Sequence, residues 1–143
     1  MGKLRMKKAL FLILITFSFI TCNEGKELID LQNETVIIDN NRYKQTETTN
    51  YSILDVQLIG NLLTIKISSS GCSGDSWKAV LIDANEILES DPVQRNIKVS
   101  LENTELCSAV LEREFIFNIK ELKNGFSSVI LNLEGWNTQI NYN

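Results

Sequence analysis

The chain has 143 residues, 14 of them basic and 18 acidic, and it contains no histidine. Its net charge of −4 gives it an acidic surface that the phosphates of DNA or RNA would repel, so nucleic acid is not expected as a partner. Without histidine there is no Ser–His or Cys–His nucleophile and no ordinary general base near neutral pH. The composition therefore favours a binding protein over an enzyme.

The first residues have the pattern of an export signal. A basic segment over residues 3–8 precedes an apolar run over residues 9–20. A helix formed by this run would span about 18 Å, which is too short for the roughly 30 Å hydrocarbon core of a membrane. The pattern predicts a signal peptide over residues 1–21 rather than a transmembrane helix.

The apolar run ends in Phe-Ile-Thr-Cys at residues 19–22, which resembles the lipobox of bacterial lipoproteins. Phe19 stands where that motif usually has leucine, and Thr21 stands where it has a small residue. The resemblance implies that the Cys22 thiol carries lipid and begins the mature protein. We therefore expect a protein of the bacterial cell envelope, with the outer membrane favoured, held to the membrane by the lipid on Cys22. An ordinary secretory peptide with a chance cysteine is the alternative.

Cleavage before Cys22 would leave 10 basic residues against 18 acidic ones, a net charge of −8. Anionic lipid head groups would repel this surface, so membrane contact should come through the lipid alone. Residues 22–33 are mostly polar and acidic and are predicted to form a tether. Residues 34–143 are predicted to fold as one domain.

Short segments of alternating apolar and polar residues fill this domain. The clearest are residues 54–58 and 63–67, which flank Gly60-Asn61, a dipeptide suited to a two-residue hairpin turn. Residues 77–82 are nearly all apolar, as expected of a strand covered on both faces, and this places Trp77 in the core. Further strands are predicted at residues 35–38, 97–101, 115–119, 129–133 and 140–142.

About eight short strands without a sustained helical period predict an all-β fold. We expect an antiparallel β-sandwich of Ig-like or similar Greek-key type, because the apolar strand at residues 77–82 suits the middle of a two-layer core. A small β-barrel is the second choice.

Export would place Cys72 and Cys107 in an oxidising compartment, where two cysteines predict one disulfide. The bond would close a loop of about 36 residues and contribute roughly 4 kcal/mol in the chain-entropy model. A redox or metal-binding pair is the alternative, but the spacing is far from Cys-x-x-Cys. A strand that ends in Ser-Gly-Cys at residues 70–72, with a second cysteine a few dozen residues later, also resembles small envelope lipoproteins. That resemblance implies no activity.

The Cys-Ser-Gly-Asp-Ser segment at residues 72–76 resembles the nucleophile segment of chymotrypsin-like serine proteases. In that family two glycines follow the serine, and a histidine takes its proton. Here Trp77 and Lys78 follow, and the chain has no histidine. The segment is therefore predicted to be a glycine-rich turn beside the disulfide.

Carboxylates and one tryptophan remain as candidates for chemistry or binding. The carboxylates that lie close in sequence are Asp75, Asp83, Glu86, Glu89 and Asp91. Two carboxyls suffice for glycoside hydrolysis, and several oxygens in a loop can bind calcium, but a solvated acidic loop is the expected role. Trp136, in a predicted turn, is the candidate ligand contact, for example to a sugar. No cofactor or metal site is predicted.

The sequence thus predicts a lipid-anchored, non-enzymatic binding module of the bacterial envelope, with an envelope protein or a glycan as its partner. One alternative is a periplasmic inhibitor or immunity protein against an enzyme or toxin. The other is a small carboxylate-dependent glycan hydrolase.

Overall fold

A computed structural model describes residues 34–143 of the chain. The predicted signal peptide over residues 1–21, the lipidation site Cys22 and the tether over residues 22–33 lie outside the described residues. In the described range, no helix is both long and apolar enough to cross a membrane. The elements in chain order are β1 (Thr35–Ile38), α1 (Asn40–Gln45), β2 (Ser52–Ile59), β3 (Leu62–Gly71), β4 (Lys78–Asp83), β5 (Val93–Glu102), β6 (Ala109–Asn118), a 3-10 turn (Lys120–Lys123), β7 (Val129–Leu133) and β8 (Ile140–Tyr142).

These strands form two sheets, which confirms the predicted all-β sandwich. The smaller sheet is antiparallel throughout and has the order β2-β3-β6. The predicted hairpin joins its first two strands: Ile59 pairs with Leu62 across a turn formed by Gly60 and Asn61. Gly60 has a φ of 59°, a left-handed conformation that glycine adopts at no steric cost.

The larger sheet has five strands in the order β1-β4-β5-β7-β8. Its β1–β4 and β5–β7 pairs are parallel, so the expectation of antiparallel pairing throughout was wrong for this sheet. Alternation within a strand shows which residues are buried but carries no information about the neighbouring strand. Neighbours are set by the crossing connections, which tertiary packing decides.

Strand β1 links the two sheets. Glu34, just before it, donates its backbone N–H to the carbonyl of Ile116 in β6 at 2.8 Å. The next residue, Thr35, already pairs with Val80 of β4 in the other sheet. The chain therefore enters the described domain near the end of β6.

The core lies between the sheets and is filled by alternate residues of the strands. Its members include Leu63, Ile65 and Ile67 of β3, Leu81 of β4, Ile97 and Val99 of β5, Phe115 and Phe117 of β6, and Leu131 of β7. Trp77 belongs to the same cluster, as predicted. Burying a large apolar side chain is worth about 1.5–3 kcal/mol, so this set is the main source of stability.

Helix α1 lies against β4 of the larger sheet, in a segment for which no strand was predicted. Asp39 caps the helix, because its carboxylate accepts a hydrogen bond from the Arg42 amide at 2.8 Å. Tyr43 of the helix lies over the buried Lys98 of β5, whose ammonium is 4.2 Å from the centre of the ring. The residues of this segment are mostly polar, so they show no apolar periodicity that would predict a helix. The helix begins after its capping residue, Asp39.

Candidate functional site

The most constrained part of the surface lies around the predicted disulfide. Cys72 and Cys107 are bonded, with their Cα atoms 4.9 Å apart, which confirms the pairing. Both cysteines are exposed. The bond joins the turn after β3 to the segment that leads into β6.

The turn after β3 surrounds the carboxylate of Glu105. Oε2 of this carboxylate accepts the backbone N–H groups of Cys72, Ser73 and Gly74 at 2.5, 3.0 and 3.0 Å. Its Oε1 accepts the hydroxyl of Ser76 at 2.8 Å. Successive N–H groups that converge in this way form an anion-binding concavity. In this protein the chain fills the concavity with its own glutamate.

These hydrogen bonds, chiefly the one from the Gly74 amide, lower the pKa of Glu105 to about 2. They favour the charged form because a carboxylate accepts hydrogen bonds more strongly than the neutral acid does. Glu105 is thus ionised at any physiological pH. Its role is to bind the 103–107 segment to the turn.

Gly71 makes this close approach possible. A Cβ atom on this residue would lie 2.5 Å from Oε2 of Glu105 and 3.0 Å from the ring of Trp77. The indole Nε1 of Trp77 is buried and has no hydrogen-bond partner among the described residues. A glycine at the end of β3 therefore lets a carboxylate and an indole pack against the same stretch of backbone.

The site explains the segment that resembles a protease. The Ser76 hydroxyl donates to Glu105 and so has a structural partner. Arg113 of β6 donates to the Gly74 carbonyl, and its guanidinium lies 3.9 Å from the Asp75 carboxylate. The glycine-rich turn beside the disulfide is confirmed, and the hydrogen bonds of Ser76 and Arg113 help to hold it.

Sequence reasoning missed Glu105. The available signal was the pairing of the turn with the disulfide: Cys107 is two residues from Glu105, so the bond brings that glutamate near consecutive N–H groups. The sequence does not show which of the nearby acidic residues would reach these N–H groups.

The five candidate carboxylates do not form one cluster, and two of them, Glu89 and Asp91, are exposed. Asp83 is fully buried and accepts two hydrogen bonds from Arg95, from Nε at 2.8 Å and from an Nη at 2.5 Å. Glu86 accepts a hydrogen bond from the side chain of Asn40 at 2.6 Å, and Asp75 is exposed beside Arg113. Among residues 34–143, no three acidic, histidine or cysteine side chains are placed to hold a metal ion.

Trp136 lies at another part of the surface. It is half-buried against the core, and its backbone N–H donates to the Leu133 carbonyl at 3.1 Å. A shallow recess of about 320 Å³ adjoins it, lined also by Ile53, Asn137 and Thr138. Ligand contact at Trp136 stays a prediction.

Two apolar side chains next to the disulfide are left in solvent. Leu106 is 97% exposed and Val110, at the start of β6, is 78% exposed. Single exposed apolar residues are common on proteins. These two differ because Leu106 lies between Glu105 and the disulfide, and Val110 lies on β6 where it pairs with Ser70 of β3. We call Leu106 and Val110 the apolar tip.

No protein-family model matches the sequence, and no curated protein matches it. One similar solved structure is a protein of unknown function, DUF1344, from Bacteroides vulgatus ATCC 8482, with a TM-score of 0.51 and 9% identity over 77% of this chain. Another is named "putative toxin-related protein", from Parabacteroides distasonis ATCC 8503, with a TM-score of 0.49 and 13% identity over 77% of the chain. The chain spans 55% and 61% of these two proteins. The first likeness shows the fold alone.

Proposed function

We propose that this chain is a lipid-anchored, non-enzymatic binding module of the bacterial cell envelope, with the outer membrane as its membrane. Cys22 at the close of a short apolar run supports the anchor. The bond between Cys72 and Cys107 supports export, because disulfides persist in oxidising compartments and are rare in the cytosol.

The observation that carries the binding role is the apolar tip. Leu106 and Val110 expose nearly all of their apolar surface, and a partner that covered them would gain about 25 cal/mol for each Å² removed from water. The surrounding backbone is held by a covalent bond to Cys72 and by the hydrogen bonds to Glu105. A surface fixed in advance loses less conformational entropy when it binds.

The position of the tip relative to the chain entry also suits this role. Glu34 enters the domain beside Ile116 of β6, six residues along the strand from Val110. At about 3.4 Å per residue, the two points are roughly 20 Å apart. A membrane anchor on the side of Glu34 would leave the apolar tip directed away from its own attachment point.

The hydrogen bonds of Asp83 and Glu105 support a structural rather than a catalytic role for these two carboxylates. Asp83 is paired with Arg95 inside the protein, and Glu105 is occupied by four donors. A general acid or base needs a free proton-transfer position and a pKa near the working pH. We therefore expect no turnover on ester, peptide or glycoside substrates, tested with the Asp75→Asn and Asp83→Asn variants beside the wild type.

The anchor is tested by Cys22→Ala. This change should abolish labelling by a fatty-acid probe and move the protein out of the membrane fraction. Unchanged labelling in the variant would contradict the lipoprotein proposal.

The binding role is tested by capture of envelope components with the lipidated protein as bait. The double variant Leu106→Ser/Val110→Ser should lose a specific captured component, because both changes remove apolar surface from the tip. The matched control is Ile59→Ser, which removes a side chain that is 75% exposed at the hairpin turn, far along the sheet from the disulfide. Equal capture by both variants would contradict a role for the tip.

A further inference from the structure

Strand β6 has an open edge of unusual length for this domain. It is the last strand of the smaller sheet and pairs with β3 over ten positions without a register shift. The other edge strands are less suited to pairing. Strand β2 is interrupted by a bulge near Ile53, and β1 and β8 have four and three residues. Short or bulged edges discourage the addition of another strand.

Two hydrogen bonds define which backbone groups of β6 face outward. Ile119 donates to Asn61, on the side of β3, and Glu34 donates to Ile116, on the opposite side. Backbone groups alternate between the two sides along a strand. The N–H and C=O groups of Val110, Glu112 and Glu114 therefore point to the open edge, as those of Ile116 do.

Only the far end of this edge is covered within residues 34–143. Glu34 forms an isolated parallel bridge with Phe117, and no described strand lies beside residues 110–114 on that side. The side chains of Val110, Glu112 and Glu114, which alternate along this stretch, are exposed. At Glu34 the chain thus places one residue of its own backbone against this edge.

We propose that β6 binds an extended segment of a partner protein, which adds as a strand along Val110–Glu114 and carries basic side chains at alternate positions. The inference rests on the proposed function and names the kind of partner for the same end of the molecule. Main-chain hydrogen bonds would supply the affinity, and the alternating side chains would supply the specificity.

The charges on the solvent-exposed face of the smaller sheet favour basic residues at alternate positions of the added strand. Glu112 and Glu114 project on this face, and Lys66 of β3 lies 2.7 Å from Glu112, so these three side chains together leave one acidic charge in excess. Opposite charges side by side across two strands stabilise the pairing, and like charges oppose it. Basic residues on the added strand would lie next to both glutamates.

The same charges oppose a second copy of this chain as the occupant. A symmetric antiparallel pair centred on residue 112 would set Glu112 against its own counterpart. This register pairs the whole of Val110–Glu114 with itself, so it brings acidic side chains together.

Hydrogen exchange of the full chain, followed amide by amide, tests the inference. The probe is a synthetic peptide as long as β6 in which threonine alternates with lysine, compared with the same peptide carrying glutamate instead of lysine. The lysine peptide should slow exchange at Val110, Glu112 and Glu114 by about tenfold or more, because these amides acquire partners. The glutamate peptide should leave them unchanged.

Substitutions at Glu112 distinguish the contribution of its backbone N–H from that of its side-chain charge. Glu112→Pro removes an outward N–H while leaving the pairing with β3 intact, as proline is tolerated where the N–H of an edge strand faces solvent. It should abolish the protection, whereas Glu112→Gln should keep it in weakened form. If the proline variant fails to fold, Glu112→Lys/Glu114→Lys keeps every amide and should reverse the preference between the two peptides.

Three results would overturn the inference. Equal effects of the lysine and glutamate peptides would show that charge complementarity does not determine binding. Protection that exists without peptide and rises with protein concentration would make a second copy the occupant. Protection without peptide that does not depend on concentration, and that is lost on deletion of residues 23–33, would make the chain its own occupant. Each leaves the proposed function standing, because anchoring and capture by the apolar tip are measured separately.

Discussion

Asp83 and Glu105 are both surrounded by hydrogen-bond donors, but in opposite settings. Asp83 is fully buried, and its main partner is the charged guanidinium of Arg95. Glu105 lies near the surface, and its partners are three consecutive backbone N–H groups and the Ser76 hydroxyl. One carboxylate is balanced by a charge and the other by neutral dipoles.

The setting decides what each contact contributes. Removing two charges from water costs several kcal/mol per ion, so the Asp83–Arg95 pair adds little net stability, but loss of one partner leaves an uncompensated buried charge. Water can replace the lost donors around Glu105, so damage there stays local. Loss of one partner of the ion pair should therefore lower global stability, whereas loss of the Glu105 contacts should change the shape of the surface.

The largest effect is expected from Arg95→Ala. Without the guanidinium, the buried Asp83 carboxylate loses its charged partner, and the free energy of unfolding should fall by about 3–5 kcal/mol. Denaturant unfolding measures this difference.

The control for this prediction removes both charges together. Asp83→Leu/Arg95→Leu should unfold close to the wild type, because replacing a buried pair by apolar residues is often neutral or stabilising. A double variant as unstable as Arg95→Ala would mean that the pair itself, rather than the orphaned charge, supplies the stability.

The next effect is expected from Cys72→Ser/Cys107→Ser. Loss of the bond should lower the free energy of unfolding by about 2–5 kcal/mol, mainly by freeing the unfolded chain. Mass spectrometry of the non-reduced exported protein gives the direct check on the bond, and two free thiols would contradict it.

The same variant also distinguishes the two interactions that fix the apolar tip, namely the disulfide and the hydrogen bonds to Glu105. The hydrogen bonds to Glu105 should persist in the folded double-serine variant, so the amides of Ser73 and Gly74 should remain protected from exchange. Loss of that protection would mean that the disulfide, rather than Glu105, holds the turn.

The smallest effect is expected from Glu105→Gln and depends on pH. The folded protein lowers the pKa of this carboxyl from its ordinary 4.5 to about 2, so the charged form is favoured by folding. Its contribution to stability should be complete above about pH 5 and should disappear as the pH falls through 4.5 toward 2. The difference between wild type and variant, measured by thermal unfolding across this range, should shrink accordingly.

Glu102→Gln is the matched control for the pH prediction, because Glu102 is exposed at the end of β5 and lies on the same connection. Its difference from the wild type should be small and nearly constant with pH. A pH dependence equal to that of Glu105→Gln would assign the effect to general surface charge.

The sequence alone predicted where the eight described strands, the hairpin and the disulfide of this protein lie, although it left out residues 93–96 of β5 and 109–114 of β6. Alternating side chains mark a buried face wherever a strand has one, Gly60-Asn61 has few conformations open to it, and two cysteines in the domain allow one pairing. These are local or countable properties. The nearly continuous apolar run at residues 77–82 also predicted the burial of Trp77.

Only the tertiary structure determined which strands pair and which side chains contact each other. The parallel β1–β4 and β5–β7 pairs, the partner of Asp83 and the occupant of the turn after β3 all join residues far apart in the chain. Glu105 looks like any other acid in the sequence, and Arg95 like any other base. Their roles arise because burial of the apolar faces fixes the sheets first, and only then does each charged group meet the donors or acceptors that its place in the fold provides.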